Sequence, residues 1–522
     1  MGKFNFRRAP RSPIVTETRA SGTTFEGGPG FARDPRSELF LLAVSNFGGE
    51  DTFYESAEKR DTRYAQLVHE AALADPEWTG RFLAWLRTGA NMRTASLVGA
   101  AEFVKARLDA GDATECATTN RSVVDSVLQR ADEPGELLAY WTTVHGRNIP
   151  KPVKRGVADA VRRLYSERSL LKYDSTANGF RFGDVIDVVH PNANEPWQGD
   201  LYKYALDRRH NRDNPIPHSL STLRAREELA TMPIEARREA LDYQRLRDAG
   251  MTWEALAGWL QGPMDAAAWE TVIPSMGYMA LLRNLRNFDE AGVSDEVAAS
   301  VAARLTDPEQ VARSRQFPFR FLSAYEKVSN PRWNQALDTA LRHSLVNLPA
   351  LPGTSLVLVD TSGSMTSTPF SARSKVTPAK AAAVFGVALG IKGESVDIHG
   401  FASGTFRHKI RTGASVIGEI DRFLGRIGEV GHGTDIAESL RSTYRRHDRV
   451  FIISDMQTIA NGQGVGDTVP AHVPIYGFNL SGHQRAAMAT GHGNRHEFGG
   501  LTDATFRMVP LLEAGGKADW PF

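Results

Sequence analysis

The feature that most constrains the fold is a change of sequence pattern near residue 345. The segment VNLPALPGTS is a Pro/Gly-rich boundary, and after it short apolar runs alternate with helical stretches. SLVLVD (355–360), SVDIHGFAS, RVFIISD (449–455) and VPIYGFNL have the composition of strands, while PAKAAAVFGVALGIKG, IGEIDRFLGRIG and TDIAESLRSTYRRH are typical of helices. Nearly continuous apolar strands that alternate with helices predict an α/β domain with a parallel, doubly wound sheet, which we place at residues 350–522.

The chain before this boundary has a helical pattern. In PEWTGRFLAWLRTG, four large apolar residues fall on one helical face: Trp78, Phe82, Trp85 and Leu86. RTASLVGAAEFVKARLDAG, TVIPSMGYMALLRNLRNFDEAG and FPFRFLSAYEKV are further examples of amphipathic stretches. Short helices separated by Gly, Pro and Asp turns favour an α-solenoid of the HEAT or armadillo type over residues 34–345. Because no strict sequence period is present, an irregular helical domain is the alternative.

Residues 1–33 form an N-terminal arm rich in Arg, Gly, Ser and Pro, which we expect to be extended or disordered up to the first helix. The arm is basic but lacks the apolar core of a secretory signal. No apolar run in the chain approaches the roughly 20 residues that span a bilayer. The sequence therefore predicts a cytoplasmic protein that does not associate with membranes.

Composition excludes several kinds of site. Cys116 is the only cysteine in 522 residues, which rules out an intramolecular disulfide, a zinc site with several thiolates and an iron–sulfur cluster. The formal net charge is +1, so no strong global attraction to nucleic acid is expected. Binding of nucleic acid would depend on local charge asymmetry.

Such asymmetry is present in HGRNIPKPVKRGVADAVRRLYSERSLLKY (145–173), which has eight basic residues against two acidic ones. On the helix predicted for this segment, Arg155 and Arg162 fall near one face, and Lys151 and Lys154 lie at its start. This density of positive charge would attract phosphates with an affinity that falls steeply with salt. A solvated helix face is the alternative.

Two neighbouring segments add weaker signals. LYKYALDRRHNR (201–212) is a second basic patch, in which Tyr202 and Tyr204 are candidates for stacking on bases. GFRFGDVIDVVHPN ends an apolar run with His190, and a histidine in this position is by default a core or capping residue.

Hydroxyl and carboxylate side chains follow the predicted strands. Asp360, Ser362 and Ser364 come directly after the first strand, Thr434 lies in GHGTDI at the start of a helix, and Asp455 ends FIISD. In doubly wound sheets, ligands bind outside the carboxyl ends of the strands. Such oxygen ligands suit Mg²⁺, Mn²⁺ or Ca²⁺ rather than zinc. Asp-x-Ser-x-Ser alone is a weak motif, and a capped strand-to-helix turn is the alternative for that segment.

These five positions resemble the metal-ion-dependent adhesion site of von Willebrand factor A domains in both order and β/α context. The resemblance implies that all five bind a divalent cation, with Mg²⁺ favoured over Mn²⁺ and Ca²⁺. A sixth coordination position is left for an exogenous carboxylate or phosphate. Because no His or Lys is placed as a general base, hydrolysis is not expected, and His432 within GHGTD is expected at the surface.

The whole arrangement resembles the TROVE/Ro family of RNA-binding proteins, in its bacterial form. The motifs that carry the resemblance are VKRGVADAVRRLYSERSLLKY, FRFGDVIDVVHPN, MGYMALLRNLRNF, FPFRFLSAYEKV and the metal-site motifs, in this order. The resemblance covers nearly the whole chain from about residue 35. It implies a HEAT-like helical toroid whose ends are bridged by the A domain, as a monomeric ring.

The same resemblance implies a non-enzymatic scaffold in RNA quality control. Single-stranded 3′ ends of misfolded RNA would enter the hole of the ring, small structured Y RNA would bind its outer surface, and an exoribonuclease would be a partner. The implied RNA-binding residues are Lys151, Lys154, Arg155, Arg162, Lys172 (in LLKY) and His190 (in VVHP). Around His190 the segment is less basic than in animal members, which implies a weaker or different outer contact.

Two other functions stay open from the sequence. Many A domains recruit protein partners through their metal ion, so the chain is alternatively a metal-dependent protein–protein interaction module without an RNA function. A metal-dependent hydrolase is the third hypothesis, and it predicts turnover that disappears in Asp360→Ala.

Overall fold

The computed structural model describes residues 11–45, 48–111, 118–177, 179–346, 348–372, 374–462, 464–515 and 517–522. Cys116 and the first ten residues of the basic arm lie outside these ranges. Among the described residues, no helix is both long and apolar enough to cross a bilayer.

The helical half, residues 34–345, consists of short helices. Their bounds are α1 (Pro35–Ser45), α2 (Ala57–Ala74), α3 (Pro76–Thr88), α4 (Arg93–Asp109), α5 (Asn120–Val127), α6 (Glu133–Val144), α7 (Lys151–Leu164), α8 (Glu167–Tyr173), α9 (Phe182–Val189), α10 (Pro196–Arg209), α11 (Ser221–Ala230), α12 (Tyr243–Asp248), α13 (Trp253–Leu260), α14 (Ala266–Val272), α15 (Tyr278–Glu290), α16 (Asp295–Thr306), α17 (Pro308–Ser314), α18 (Phe319–Tyr325) and α19 (Asn334–Ser344). The stretch TVIPSMGYMALLRNLRNFDEAG is divided between α14 and α15, because its proline falls in a short 3₁₀ turn at Ile273–Ser275.

The sheet domain, residues 350–522, follows the boundary predicted near residue 345. Its helices are α20 (Gly363–Ser367), α21 (Pro378–Lys392), α22 (Val416–Leu424), α23 (Ile436–Thr443) and α24 (Met508–Glu513). Its strands are β3 (Thr354–Asp360), β4 (Ser395–Phe401), β5 (Thr405–His408), β6 (Arg449–Ser454), β7 (Ile475–Asn479), β8 (Arg485–Ala486) and β9 (Arg495–Gly499). Two short strands of the arm, β1 (Gly22–Thr23) and β2 (Pro29–Ala32), precede them in the chain.

The main sheet has six strands in the order β5-β4-β3-β6-β7-β9. β3 is central and pairs in parallel with both β4 and β6, and β7 and β9 extend the parallel part. The prediction of a parallel sheet is wrong at one edge, because β5 returns antiparallel to β4 through a tight connection. The order puts the carboxyl ends of β3 and β6 side by side, and this edge positions the candidate metal ligands.

The N-terminal arm is extended where the structure describes it, and it is bound to the sheet domain. β2 pairs with β1 on one side and with β8 on the other, so the arm completes a small three-stranded antiparallel sheet. At the end of the arm, the fully buried Arg33 forms a bidentate ion pair with Glu497 on β9, at 2.6 and 2.8 Å. Burial of both charges makes this pair costly to break from one side.

Both ends of the helical half contact the sheet domain. On the first helix, Leu41 and Val44 of α1 pack against Gly499, so closely that a side chain there would collide with them. On the last helix, Asp338 of α19 accepts a 3.0 Å hydrogen bond from the backbone N–H of Ile417. The sheet domain therefore bridges the start and the end of the helical half.

Early and late parts of the helical half also contact each other. The side-chain amide of Asn91, between α3 and α4, donates a 3.0 Å hydrogen bond to the carbonyl of Arg315, between α17 and α18. The contact joins positions separated by 224 residues. Elements from the beginning and the end of the helical series are thus neighbours, as in a closed arrangement.

Candidate metal centre and nucleic-acid interface

The five candidate metal ligands lie on three loops at one edge of the main sheet. Asp360 is the last residue of β3, and Asp455 follows the last residue of β6. β3 and β6 are paired in parallel up to Val359 and Ile453, so the two carboxylates leave neighbouring strands at the same level. Hydrogen bonds between backbone groups bring in the third loop: Gly363 N–H donates to the carbonyl of His432 at 2.8 Å.

Local hydrogen bonds orient these side chains. The Asp360 carboxylate accepts from the N–H of Ser362 at 2.9 Å and from the hydroxyl of Ser454 at 2.6 Å. The hydroxyls of Ser362 and Ser364 are 3.2 Å apart, and Asp455 accepts from the N–H of Gln457 at 3.0 Å. Asp455 is held by its own loop, and Asp360 is held by its own loop and by Ser454 of β6, which orients both carboxylates.

Thr434 belongs to the same assembly through its backbone. Its carbonyl accepts from the N–H of Ile459 at 2.9 Å and from the hydroxyl of Thr458 at 3.3 Å, which ties its loop to the segment after β6. The Thr434 side chain is buried, whereas His432 is exposed, as the sequence predicts for His432. We use the term metal face for Asp360, Ser362, Ser364, Thr434 and Asp455, all of which are buried.

The electrostatics of the metal face match a hard cation. Burial raises the pKa of both the Asp360 and the Asp455 carboxyls above the usual aspartate range, and repulsion from Asp360 adds to the effect at Asp455. Neither carboxylate makes an ion pair with a described residue. Two buried carboxylates beside three hydroxyls are suited to Mg²⁺, Mn²⁺ or Ca²⁺, and a bound cation would supply the missing positive charge. Among the described residues, no cluster of three or more His, Cys, Asp or Glu is arranged for a metal.

The metal face is covered by parts of the chain that are distant in sequence. Ser364 and Asp455 line a small cavity of about 30 Å³, together with Phe53 of the helical half and His483 of the sheet domain. Tyr54 stacks on Phe25 of the arm, with ring centroids 5.0 Å apart. The sequence does not indicate these covering residues, because nothing in the local pattern of residues 24–28 or 50–55 points to the strand ends.

The predicted basic residues of α7 differ in their exposure and in their partners. Lys151 and Arg155 are exposed and Lys154 is half-buried, and none of the three forms an ion pair with a described residue. Arg162 differs, because it pairs with Asp159, which also accepts from Arg121 at 2.5 and 2.8 Å. The positive charge of α7 is therefore concentrated at its first turns.

Lys172 does not join this surface. It lines a cavity of about 240 Å³ with Arg168 and Arg247, bounded on the far side by Ala280 at the start of α15. The next residue back, Met279, lines a second and larger cavity of about 540 Å³. The two basic cavities therefore lie on either side of the first turn of α15.

The larger cavity lies between α15 and α18 and is lined by cationic side chains. Four cationic side chains line it, and none of its other lining residues is acidic: Arg283, Arg286, Arg320 and Lys327. Arg286 pairs with Glu290 at 3.3 Å. The other three have no ion pair with a described residue. We call this feature the α15–α18 cavity.

The α15–α18 cavity also affects the charge state of its own residues. Burial lowers the pKa of the Arg320 guanidinium, and the nearby positive charge of Arg283 lowers it further. Arg283 is exposed, so solvent weakens its repulsion with Arg320, and an anion bound between the two guanidinium groups would remove the repulsion. The amphipathic pattern of the segments that form α15 and α18 does not by itself point to these cationic residues. The available signal is the spacing of Arg283 and Arg286 in LLRNLRNF, with no acidic residue before Asp289.

Comparison with known proteins identifies the helical half. The model of the TROVE domain matches residues 248–332, which contain α15 and α18. The "RNA-binding protein RO60" of Deinococcus radiodurans is 23% identical over 381 residues, covering 68% of this chain and 68% of that protein. The chain therefore contains a segment that matches the TROVE domain and is similar over two thirds of its length to a Ro protein.

A solved structure supports the TROVE/Ro fold. The crystal structure of the Deinococcus radiodurans RO (RSR) protein superposes with a TM-score of 0.60 at 18% identity and covers 92% of this chain and 100% of that one. "Telomerase protein component 1" of Mus musculus is 42% identical over 79 residues, and that of Rattus norvegicus over 65 residues. The matches cover 15% and 12% of this chain but only 3% and 2% of those long proteins.

The remaining candidates, His190 and Tyr202, lie at the end of α9 and on α10, and both of these helices contact α7. His190 caps the C-terminus of α9 in the left-handed conformation and is exposed in a groove that also contains Asp187 and Lys203. Tyr202 is buried in the core and is not available for stacking, which corrects the expectation from sequence.

Proposed function

We propose that this protein is a member of the TROVE/Ro family and binds RNA, and that the α15–α18 cavity receives a single-stranded segment such as the 3′ end of a misfolded RNA. The observation that carries the proposal is the group of Arg283, Arg320 and Lys327, which share a cavity of about 540 Å³ without an ion pair to any described residue. RNA phosphates would neutralise these charges and release counterions. The name of the Deinococcus relative, an RNA-binding protein, supports the same class of ligand.

The proposed architecture is a HEAT-like toroid closed by a von Willebrand factor A-like domain, acting as a monomeric ring. The direct contact between Asn91 and Arg315 and the contacts of α1 and α19 with the sheet domain support a closed path for the helices. In this arrangement the α15–α18 cavity and the Lys172 cavity form adjacent parts of one basic track, which would follow an RNA backbone rather than read its bases.

A second RNA surface is proposed on the outside, at α7. Lys151, Lys154 and Arg155 present unpaired positive charge, which suits the phosphates of a small structured RNA of the Y RNA type. Arg162 would contribute less, since Asp159 already compensates its charge. His190 would extend the contact only weakly, because Asp187 lies in the same groove. A structured RNA bound here leaves the α15–α18 cavity free for a single-stranded end.

The protein is then a scaffold rather than an enzyme, and an exoribonuclease that degrades the captured RNA is the proposed partner. A divalent cation, Mg²⁺ first, is proposed at the metal face, held by Asp360 and Asp455 with Ser362, Ser364 and Thr434. When bound, it supplies positive charge between the two carboxylates. Its role would be to hold the sheet domain in the form that bridges the helical half.

The test is a filter-binding titration of purified protein with two RNAs. One has a structured stem-loop without a tail, and the other has the same stem-loop with a single-stranded 3′ tail. The proposal expects both to bind, the tailed RNA more tightly, and both affinities to fall with salt. Absence of binding at low salt, or binding that does not change with salt, would contradict it and favour the protein–protein interaction module.

A further inference from the structure

The arm residues 24–28, which we call the arm loop, are docked beside the metal face. The hydroxyl of Thr24 and the N–H of Gly28 both donate to the carbonyl of Thr458, at 2.6 and 2.9 Å. The N–H of Phe25 donates to the side chain of Gln457 at 2.9 Å, and the backbone of Gln457 in turn binds Asp455. The arm loop is therefore fixed to the same segment that positions one of the two carboxylates.

The approach of the arm loop is close enough to require glycine. A side chain on Gly28 would begin 2.5 Å from the carbonyl oxygen of Thr458, a distance that real contacts do not reach. The neighbouring Gly27 has a φ of +87°, in the region that favours glycine. These two residues turn the chain so that Glu26, between Phe25 and Gly27, lies at the tip of the loop.

Glu26 is directed to the metal face. Its carboxylate accepts a 2.5 Å hydrogen bond from the Tyr54 hydroxyl. The ring of Tyr54 lies edge-on to the ring of His483, with centroids 5.4 Å apart, and His483 lines the small cavity together with Ser364 and Asp455. Tyr54 thus lies between Glu26 and the residues around the metal face.

Three carboxylates of this region make no ion pair with any described residue: Glu26, Asp360 and Asp455. Of the arginines nearby, Arg60 and Arg63 pair with Glu55, at 3.4 and 3.1 Å, and each keeps one buried nitrogen without a hydrogen-bond partner. Such an arrangement is unfavourable unless a cation lies among the carboxylates.

We propose that Glu26 supplies the sixth ligand of the cation at the metal face, so that the ion joins the N-terminal arm to the sheet domain of the same chain. The inference rests on the cation site proposed above. It assigns the open coordination position to an internal carboxylate instead of an acidic partner. Tyr54 is then a positioning residue, since its hydroxyl orients the oxygen of Glu26 that does not face the ion.

The cation would then act as a clasp that joins parts of the same chain, and not as a site that recruits an external partner. The arm is bound to the sheet domain through β2 and Arg33, while Tyr54 belongs to the helical half. A cation bound through Glu26 would therefore strengthen the association of three parts together: the arm, the sheet domain and the segment before α2. An external carboxylate would have to displace Glu26 before it reached the ion.

The first experiment measures Mn²⁺ binding by electron paramagnetic resonance and by water proton relaxation on the full chain. We expect Glu26→Gln to weaken Mn²⁺ binding on the order of tenfold or more, as expected for the removal of a charged ligand. The bound ion should also gain one exchanging water, which raises the relaxivity per bound ion. Glu17→Gln, an exposed position of the same arm, is the matched control and should behave as wild type.

The second experiment follows trypsin cleavage after Arg19, which is exposed in the arm, with Mg²⁺ and with a chelator. Mg²⁺ should slow cleavage in wild type and in Glu17→Gln, but not in Glu26→Gln. Gly28→Ala should also lack the protection by Mg²⁺, without any change of charge, because the added methyl group displaces the arm loop.

The outcomes distinguish the cation site from the clasp. Wild type that binds no Mn²⁺ overturns both the cation site and the clasp. Wild type that binds Mn²⁺, with Glu26→Gln equal to it in affinity and in relaxivity, overturns the clasp alone and leaves the cation site in place. RNA binding is measured separately and does not enter either result.

Discussion

Arg283 and Arg320 project from different helices, α15 and α18, into one cavity, where burial and the charge of Arg283 lower the pKa of the Arg320 guanidinium. Arg283 is exposed and Arg320 is half-buried, and neither makes an ion pair with a described residue. We propose that this pair marks a surface of the protein that binds an anion. Substitutions can test this surface and the interactions that hold the molecule together.

Charge reversal on α7 tests the outer RNA surface. We expect the double variant Lys154→Glu with Arg155→Glu to weaken binding of a structured stem-loop RNA by roughly tenfold and to reduce its salt slope by about two, one for each phosphate that is no longer neutralised. A single-stranded oligonucleotide should bind almost as before. The control is Arg313→Glu, an exposed arginine that is paired with Glu309. Equal weakening for both RNAs would mean that α7 and the cavity are one site.

Replacing Asp360 by Asn tests the cation site through stability. In a chelator we expect Asp360→Asn to melt no earlier than wild type, since it removes one of two buried carboxylates that repel each other. With Mg²⁺ at about 100 times its dissociation constant, wild type should gain about 2.7 kcal/mol, while the variant gains none. Thermal melts with and without Mg²⁺ show whether the order of the two melting temperatures, wild type and Asp360→Asn, reverses. Asp213→Asn, at an exposed position, should follow wild type in both conditions.

The ion pairs of Glu55 predict how stability depends on pH. Burial alone would raise the pKa of Glu55, but the hydrogen bond from His483 and the charges of Arg63 and Arg60 lower it to about 2. A lowered pKa contributes stability that is complete above the unfolded value of 4.5 and disappears as the pH falls towards 2. The contribution is about 3 kcal/mol.

Urea unfolding of wild type and Glu55→Gln between pH 6 and pH 3 measures this contribution. We expect the variant to be less stable at pH 6, with the difference shrinking as the pH falls. Glu239→Gln, at an exposed position, is the control. A difference that is constant over the whole range would show that the carboxylate of Glu55 is not the group responsible.

The last residues of the chain cover the aromatic face that the sequence reveals in α3. Trp520 lies 5.3 Å from Trp78 and 5.1 Å from Phe40, and Phe522 lies 5.5 Å from Phe82, measured between ring centroids. We expect Trp520→Ala to cost about 2 kcal/mol of stability, which is less than for a fully buried aromatic residue. Trp197→Ala, at an exposed tryptophan, should cost far less. Equal unfolding midpoints for the two variants would contradict the packing role.

The local sequence pattern predicts the strands and helices that are buried through their own apolar residues. The strand predicted over 355–360 is β3, and the aromatic face predicted in PEWTGRFLAWLRTG lies on α3. The pattern does not predict β9, because Arg495, His496 and Glu497 make its sequence polar. The strand is nevertheless buried, since Glu497 is neutralised by Arg33, 464 residues away. No window of local sequence contains that pairing.

The residues of the candidate sites also differ in whether the sequence alone reveals them. Asp360 and Asp455 can be selected from sequence, because each ends an apolar strand and parallel strands bring such ends together. Glu26 and Tyr54 cannot, since only the docking of the arm brings them to the metal face. The arginines of the α15–α18 cavity are an intermediate case: their charge is visible in sequence, whereas the absence of an acidic partner among the described residues is a property of the fold.

The central claim is that the α15–α18 cavity binds RNA through its unpaired charges. The most direct test is the salt dependence of binding of a single-stranded RNA oligonucleotide to wild type and to Arg283→Glu with Arg320→Glu, with Arg313→Glu as control. We predict that the affinity of the double variant falls at least tenfold and that its salt slope falls by about two. Unchanged affinity and slope in a variant that melts like wild type would contradict the claim.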